Sequence, residues 1–166
     1  MKKILVDDSR CLACHTCEIA CSVAHSASQT LYGAISEQTS PVCGMHVEAS
    51  GRSRGFPLSC RHCQDAQCVR VCVTKALYMN KEGVVLCDNN RCIGCYMCFI
   101  ACPFGVMEEK TIASESNINK CDLCAVSGVE PACVSACPTQ ALVFEEPDVF
   151  SKNKRVKYLV ELASTS

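Results

Sequence analysis

Sixteen of the eighteen cysteines fall into four groups of four, and their spacing is typical of iron-sulfur cluster ligands. Two groups read C-x2-C-x2-C-x3-C: the first is Cys11, Cys14, Cys17 and Cys21, and the third is Cys92, Cys95, Cys98 and Cys102. Two groups have a longer middle gap: the second is Cys60, Cys63, Cys68 and Cys72, and the fourth is Cys121, Cys124, Cys133 and Cys137. Runs of this kind bind 4Fe-4S clusters through thiolates. Four groups therefore predict four 4Fe-4S clusters.

The last cysteine of each group is expected to serve a different cluster from the first three. Three cysteines spaced by two residues wrap the chain around one cluster, whereas the fourth begins a helix that leads away. In two-cluster ferredoxins this fourth cysteine ligates the partner cluster. The groups should therefore work in exchanged pairs.

The segment between groups two and three indicates which groups are paired. Residues Ala76 to Cys92 read as a strand, a turn at Lys81-Glu82-Gly83 and a returning strand. Groups two and three are thus predicted to form an inner module over residues 60–105, with Cys72 and Cys102 exchanged. Groups one and four remain and are paired by elimination, in an outer module of residues 1–21 plus 121–146. The alternative is sequential pairing, of one with two and three with four.

The remaining elements predict an α+β polyferredoxin domain over residues 1–146, made of short hairpins and short helices. Strands are expected at Lys3 to Val6, near Met45 to Glu48 and at Ala141 to Glu145, and helical turns should begin around each closing C-x3-C. Residues 22–59 form an insertion without evident cluster chemistry. In the tail, residues 147–166, the stretch VKYLVEL fits an edge strand or a short helix. A subunit contact there and packing on the chain's own surface are both open.

Other cysteine and histidine chemistry fits the sequence less well. Cys11-Leu12-Ala13-Cys14-His15 matches the haem attachment pattern, but two further cysteines continue the cluster spacing. A zinc-stabilised interaction module would need two knuckles on a longer loop. We interpret Cys43 and Cys87 as small buried hydrophobic residues. His25, His46 and His62 have no paired ligands at metal spacing and are interpreted as structural or surface residues.

No catalytic residue is expected, because every cluster has four cysteines and no glycine fingerprint for a nucleotide is present. The formal charge is −1, and sixteen thiolates around four cores of about +2 add roughly eight negative charges. Such a charge disfavours nucleic acid as a partner. The N-terminus lacks a signal-like apolar stretch, and the longest apolar run, twelve residues, is too short to cross a bilayer. We expect a cytoplasmic protein of anaerobic metabolism without direct membrane insertion.

Four segments of the sequence resemble those of a known family: CRHCQDAQCVRVC, RCIGCYMCFIACPFG, KCDLC and EPACVSACPTQAL. They are similar to the four-cluster ferredoxin-like subunits of hydrogenases, formate dehydrogenases, dimethyl sulfoxide reductase and carbon monoxide dehydrogenase. The carbon monoxide dehydrogenase iron-sulfur protein branch, with the small subunits of tungsten aldehyde oxidoreductases, looks most alike. The chain lacks proline after Cys21 and Cys72, unlike the plain ferredoxin run.

The resemblance implies nested exchange, with four specific ligand sets. We name them cluster sites A to D. Site A is Cys11, Cys14, Cys17 and Cys137; site B is Cys60, Cys63, Cys68 and Cys102; site C is Cys92, Cys95, Cys98 and Cys72; site D is Cys121, Cys124, Cys133 and Cys21.

The expected function is single-electron relay between a large catalytic oxidoreductase subunit and a second redox protein. The expected catalytic partner is of the carbon monoxide dehydrogenase, tungsten or molybdenum aldehyde, or formate oxidoreductase type. The second partner would be a ferredoxin, a hydrogenase or a nicotinamide-reducing flavoprotein. The alternative is a freely diffusing polyferredoxin that serves several enzymes.

Overall fold

The computed structural model describes residues 1–50, 54–112, 115–125 and 130–164. It has eight short strands, six α-helices and two 3-10 turns, Asp8–Arg10 and Asn89–Arg91, within these ranges. The strands are β1 Lys3–Val6, β2 Met45–Ser50, β3 Arg54–Ser59, β4 Leu77–Met79, β5 Val85–Cys87, β6 Glu108–Ile112, β7 Glu115–Asn119 and β8 Leu142–Glu145. The helices are α1 Thr16–Ala24, α2 Leu31–Ser36, α3 Gln67–Arg70, α4 Met97–Ala101, α5 Ala132–Ser135 and α6 Pro147–Ser164. This mixture of short helices and strands confirms the predicted α+β class.

The strands form four separate antiparallel pairs. Three join neighbours along the chain: β2 with β3, β4 with β5, and β6 with β7. The fourth joins the two ends, because β1 pairs with β8 from Lys3 opposite Glu145 to Val6 opposite Leu142. The predicted hairpin between groups two and three is confirmed as β4 and β5, and the strand predicted at Lys3 to Val6 is confirmed.

The helices of the four cysteine groups begin at equivalent positions. Each starts one residue before the third cysteine of its group, at Thr16, Gln67, Met97 and Ala132. The prediction of helical turns at each closing C-x3-C is therefore confirmed. Helix α1 packs against α5, and α3 packs against α4. The helices of groups one and four thus meet, as do those of groups two and three.

The exits from the groups differ in one place. Three residues after the closing cysteine, the backbone is left-handed at Lys75, Gly105 and Gln140, in the turn that follows each short helix. Helix α1 instead continues past Cys21 to Ala24. Neither Cys72 nor Cys21 is followed by proline. The backbone after Cys72 nevertheless turns like that after Cys102 and Cys137, whereas after Cys21 the helix continues.

The buried core has two parts, and cysteines contribute to both. One contains Ile4, Met45, Val47 and Leu142 with Cys17, Cys21, Cys121 and Cys133. The other contains Leu77, Val85, Met107 and Ile118 with Cys98. Because cysteines form part of this core, its packing depends on the groups that those cysteines bind.

The predicted insertion packs against the first cysteine group. Strand β2 lies beside α1, β3 lies beside the 3-10 turn Asp8–Arg10 that precedes Cys11, and the Val47 backbone N–H donates to a Glu18 carboxylate oxygen at 2.5 Å. Gly55 in β3 approaches Ala13 so closely that an added Cβ would lie 2.9 Å from its side chain. The strand predicted near Met45 to Glu48 is confirmed, whereas β3, α2 and the β6–β7 pair were not predicted.

The tail forms α6, which decides between the two predicted alternatives in favour of a helix. Ion pairs tie it to the N-terminal region, from Lys157 to Asp7 at 3.5 Å and from Lys154 to Asp8 at 4.0 Å. Most of its described side chains are exposed, among them Tyr158 and Leu159. Within the described ranges, none of the helices combines the length and apolarity needed to cross a bilayer.

Candidate iron-sulfur sites

Three cavities are each lined by four cysteines, and each combines cysteines from two groups. Cysteines of groups one and four line a cavity of about 310 Å³: Cys11, Cys14, Cys17 and Cys137. Cysteines of groups two and three line one of about 440 Å³: Cys60, Cys63, Cys68 and Cys102. The same groups line another of about 330 Å³: Cys92, Cys95, Cys98 and Cys72. These four-cysteine combinations are those of sites A, B and C.

The cysteines of site D are brought together by the packing of α1 against α5. Cys21, Cys121 and Cys133 share one buried cluster. Residues 126–129, between Cys124 and Cys133, lie outside the described residues. Burial raises the pKa of Cys121, Cys124 and Cys133, to about 12 for Cys121, and the like charges of neighbouring thiols raise the pKa of each further.

The closing cysteines Cys72 and Cys137 have matching surroundings. Each sulfur lies near the hydroxyl of a threonine two residues later, at 3.8 Å for Thr74 and 3.7 Å for Thr139. Cys72 also accepts a hydrogen bond from the Leu77 backbone N–H at 3.4 Å. Burial alone would raise the pKa of either thiol, but the hydrogen bonds outweigh it and lower the pKa. Both sulfurs are thus prepared to be thiolates, the form that binds iron.

The loops of the cysteine groups use left-handed backbone conformations. These occur at Ala13 and His15 in group one, and at Gly94 and Tyr96 in group three. Group four has them at Leu123 and Cys124. Left-handed residues turn the backbone sharply and aim successive N–H groups inward. The Leu123 N–H accordingly donates to the Cys121 sulfur at 3.4 Å.

The insertion contributes to site D, which the sequence did not indicate. The Gly44 N–H donates to the Cys21 sulfur at 3.3 Å. Only glycine fits there, because an added Cβ would lie 2.6 Å from the Cys121 backbone nitrogen. This contact joins segments that are distant along the chain. No motif or residue spacing in the sequence therefore indicates it.

The two cysteines outside the groups lie near the sites. Cys43 is half-buried, and its sulfur lies 2.8 Å from the Met45 carbonyl oxygen. The neighbouring Cys43 thiol is the main cause of the lowered pKa of Cys21, and its effect exceeds that of burial, which raises the pKa. Cys87 ends β5, is half-buried, and burial raises its pKa to about 12.

Three of the four histidines, His25, His46 and His62, each contact a residue from a distant part of the chain. His62 is buried and its Nδ1 accepts from the Val85 N–H at 3.0 Å, while burial lowers its pKa to about 3. The Nδ1 atom of His46 lies 3.3 Å from the Oε1 atom of Glu108. His25 contacts Asp122 at 3.0 Å, and ligand atoms of His25, Asp122 and Cys124 lie within 4.8 Å of one another. The sequence spacing pairs His25 with no metal ligand, whereas the structure places Asp122 and Cys124 beside it.

The residues present fit cubane clusters. Each described cavity offers four thiols in a mainly apolar lining, and backbone N–H groups point at sulfurs of Cys21, Cys72 and Cys121. Three successive cysteines at C-x2-C-x2-C spacing, as in groups one and three, are typical of cubane clusters rather than of a zinc knuckle, which uses a C-x2-C pair.

Comparisons with known proteins agree with this chemistry. A family model described as a 4Fe-4S dicluster domain matches residues 53–147, and one described as a 4Fe-4S binding domain matches residues 8–24. The electron transport protein HydN of Escherichia coli (strain K12) is 38% identical over 153 residues, covering 84% of this chain and 85% of HydN.

Two relatives are named as subunits of enzymes. The thiosulfate reductase electron transfer subunit PhsB of Salmonella typhi is 37% identical over 153 residues, covering 87% of this chain and 76% of PhsB. The formate dehydrogenase iron-sulfur subunit of Wolinella succinogenes is 28% identical over 187 residues, covering 99% of this chain and 90% of that subunit. The chain belongs to the 4Fe-4S ferredoxin-type electron transport subunit family.

Proposed function

We propose that the chain holds four 4Fe-4S clusters at sites A to D and relays single electrons between a catalytic oxidoreductase subunit and a second redox protein. The observation that carries this proposal is the set of three cavities, each lined by four cysteines in the exchanged combination. Random proximity of eighteen cysteines would not produce three complete sets with the same pattern.

Strand pairing supports the nested modules. Strand β4 follows group two and pairs with β5, which precedes group three. In the same relation, β8 follows group four and pairs with β1, which precedes group one. The proposed outer module, residues 1–21 plus 121–146, therefore repeats the connectivity of the inner module, residues 60–105. The β2–β3 and β6–β7 pairs lie between groups one and two and between groups three and four, as sequential pairing would also have them. The nested pairing is therefore favoured by the cysteine combinations of the cavities and by the packing of α1 against α5 and of α3 against α4.

In this function the clusters supply reversible one-electron chemistry. The residues of the chain hold them, exclude water and set their potentials. Hydrogen bonds from Gly44, Leu77 and Leu123 to cysteine sulfurs stabilise negative charge. We assign no catalytic residue, and reactivity toward substrate belongs to the partner.

Exposed apolar residues support two docking points. Cys14 and Cys95, the second cysteines of groups one and three, are both exposed. Each follows an exposed aliphatic residue, Leu12 or Ile93. Because sites A and C belong to different modules, two partners can approach separate clusters.

Relatives favour a fixed subunit over a freely diffusing polyferredoxin, since two carry enzyme-subunit names. The partner type proposed from the sequence, including carbon monoxide dehydrogenase, stays a prediction. Purification of the tagged chain under anaerobic conditions should retain a large catalytic chain. Recovery of the chain alone, still able to reduce several enzymes, would favour the diffusing alternative.

Ligand exchange is tested by Cys72→Ser with Cys68→Ser as its matched control. Cys72→Ser should change the signal of site C, and Cys68→Ser that of site B, in spectroscopy that resolves the clusters. In the purified complex, either variant should reduce electron transfer between partners while catalysis with an artificial acceptor persists. If both variants altered the same cluster, the exchange would be wrong. If an assembled complex lost both activities equally, the relay would be wrong.

A further inference from the structure

Lys120 is a buried cation at the contact between the two proposed modules. The residue is 7% exposed and lies between β7 and Cys121. Its Nζ donates to the Cys121 carbonyl at 2.8 Å and to the carbonyl of Val85 in β5. In the part of the chain that the structure describes, no ion pair includes Lys120.

A buried ammonium without a counter-charge is costly. Two carbonyl oxygens satisfy its hydrogen bonds but carry no net charge. The compensating negative charge should therefore come from groups that bind here. Clusters ligated by four thiolates carry such a charge.

The contacts of Lys120 indicate which sites are involved. Val85, which accepts one hydrogen bond, lines the cavity of site B with Cys60 and Cys68. Cys121, which accepts the other, opens group four and belongs to site D. Burial raises the pKa of Cys60, Cys68 and Cys121, and the Lys120 charge opposes that rise in each. The ammonium thus acts on one site in each module.

We infer that Lys120 is the shared counter-cation of the clusters at sites B and D and raises the reduction potentials of both. The inference rests on the proposed function, because it requires clusters at those two sites. Reduction adds one negative charge to a cluster, and a fixed cation nearby stabilises the reduced form. Lys120 would then favour reduction of one cluster on each side of the module contact.

A purely structural role makes a different prediction. Lys120 also joins the modules by hydrogen bonds, and their loss alone would lower stability without moving potentials in one direction. The glutamine variant separates the two roles, because its amide donates hydrogen bonds but has no charge.

The test is a redox titration of the anaerobically purified holoprotein, followed by electron paramagnetic resonance. Lys120→Met and Lys120→Gln should each shift two of four midpoint potentials to more negative values. Lys120→Arg should keep both near the wild-type values. Lys81→Met, in the exposed turn between β4 and β5, is the matched control and should shift none.

Unchanged potentials in both neutral variants with full iron content would overturn the inference. Iron loss from both neutral variants but not from Lys120→Arg would support it, since charge is then required to hold the clusters. Iron loss from all three would overturn it, because shape rather than charge would be required. A wild-type protein with fewer than four clusters would instead contradict the proposed function, and this is measured before any variant.

Discussion

Groups one and four differ from groups two and three in burial, although the two halves share connectivity. In the outer pair five of eight cysteines are buried: Cys11, Cys17, Cys21, Cys121 and Cys133. In the inner pair only Cys98 is buried. The same arrangement of strands and helices therefore encloses cysteines to different depths.

The difference comes from what covers each half. Met45 and Val47 of the insertion pack into the outer core with Cys17 and Cys21. Both halves expose aliphatic residues near their cysteine groups, Leu12 and Ile19 in the outer half and Val73, Ile93 and Ile100 in the inner half. The inserted hairpin thus buries cysteines of the outer half more deeply while apolar surface stays available for a partner on both halves.

Removal of iron should have the largest effect, on both halves. Cysteines of the proposed sites form part of each buried core, and metal binding that exists only in the folded state is folding free energy. We expect chelation to abolish the folded structure, as measured by circular dichroism and limited proteolysis. A protease-resistant outer half in the apoprotein would show that its deeper core stands without iron.

Replacement of equivalent cysteines by serine should lower stability more in the outer half than in the inner half. Cys133 and Cys68 are each the third cysteine of their group, but Cys133 is 4% exposed and Cys68 half-buried. Both serine variants should lose one cluster. Cys133→Ser should lower stability further, by about 1–3 kcal/mol, because a hydroxyl is buried without a partner. Melting temperatures measured anaerobically test this, and equal losses would contradict the difference in burial.

Two glycines offer a smaller, matched contrast. In Gly44→Ala the new Cβ would lie 2.6 Å from the Cys121 backbone, so we expect a loss of about 3 kcal/mol. Gly105 has a φ of +63° but open space around it, so alanine should cost roughly 1 kcal/mol. Gly44→Ala should also alter the signal of site D, since the Gly44 N–H contacts Cys21. If the two alanine variants had equal melting temperatures and the signal of site D did not change, the insertion would not contribute to that site.

The sequence predicted the local features well because local spacing determines them. The strand at Lys3 to Val6, the β4–β5 hairpin and the four helix starts all follow from cysteine spacing and neighbouring side chains. The contact of Gly44 with Cys21 and Cys121 joins segments distant along the chain, and one glycine among turn residues gives no sign of it. The β6–β7 pair was missed because EEKTI and ESNIN are polar and lack clear alternation.

The smallest expected effect concerns the tail. Helix α6 is tied to the outer half by exposed ion pairs, including that of Lys157 with Asp7. Exposed pairs contribute about 0.2–1 kcal/mol and are screened by salt. Lys157→Ala should therefore change the melting temperature by only a few degrees, and less at high salt. A large loss would show that α6 supports the outer core.

Iron and labile sulfide content of the anaerobically purified chain tests the central claim most directly. Four complete sites, two in each half, predict about sixteen iron and sixteen sulfide per chain. The count does not depend on knowing the partner or substrate. A value near eight of each would contradict the four-cluster account and leave only one half as an electron carrier.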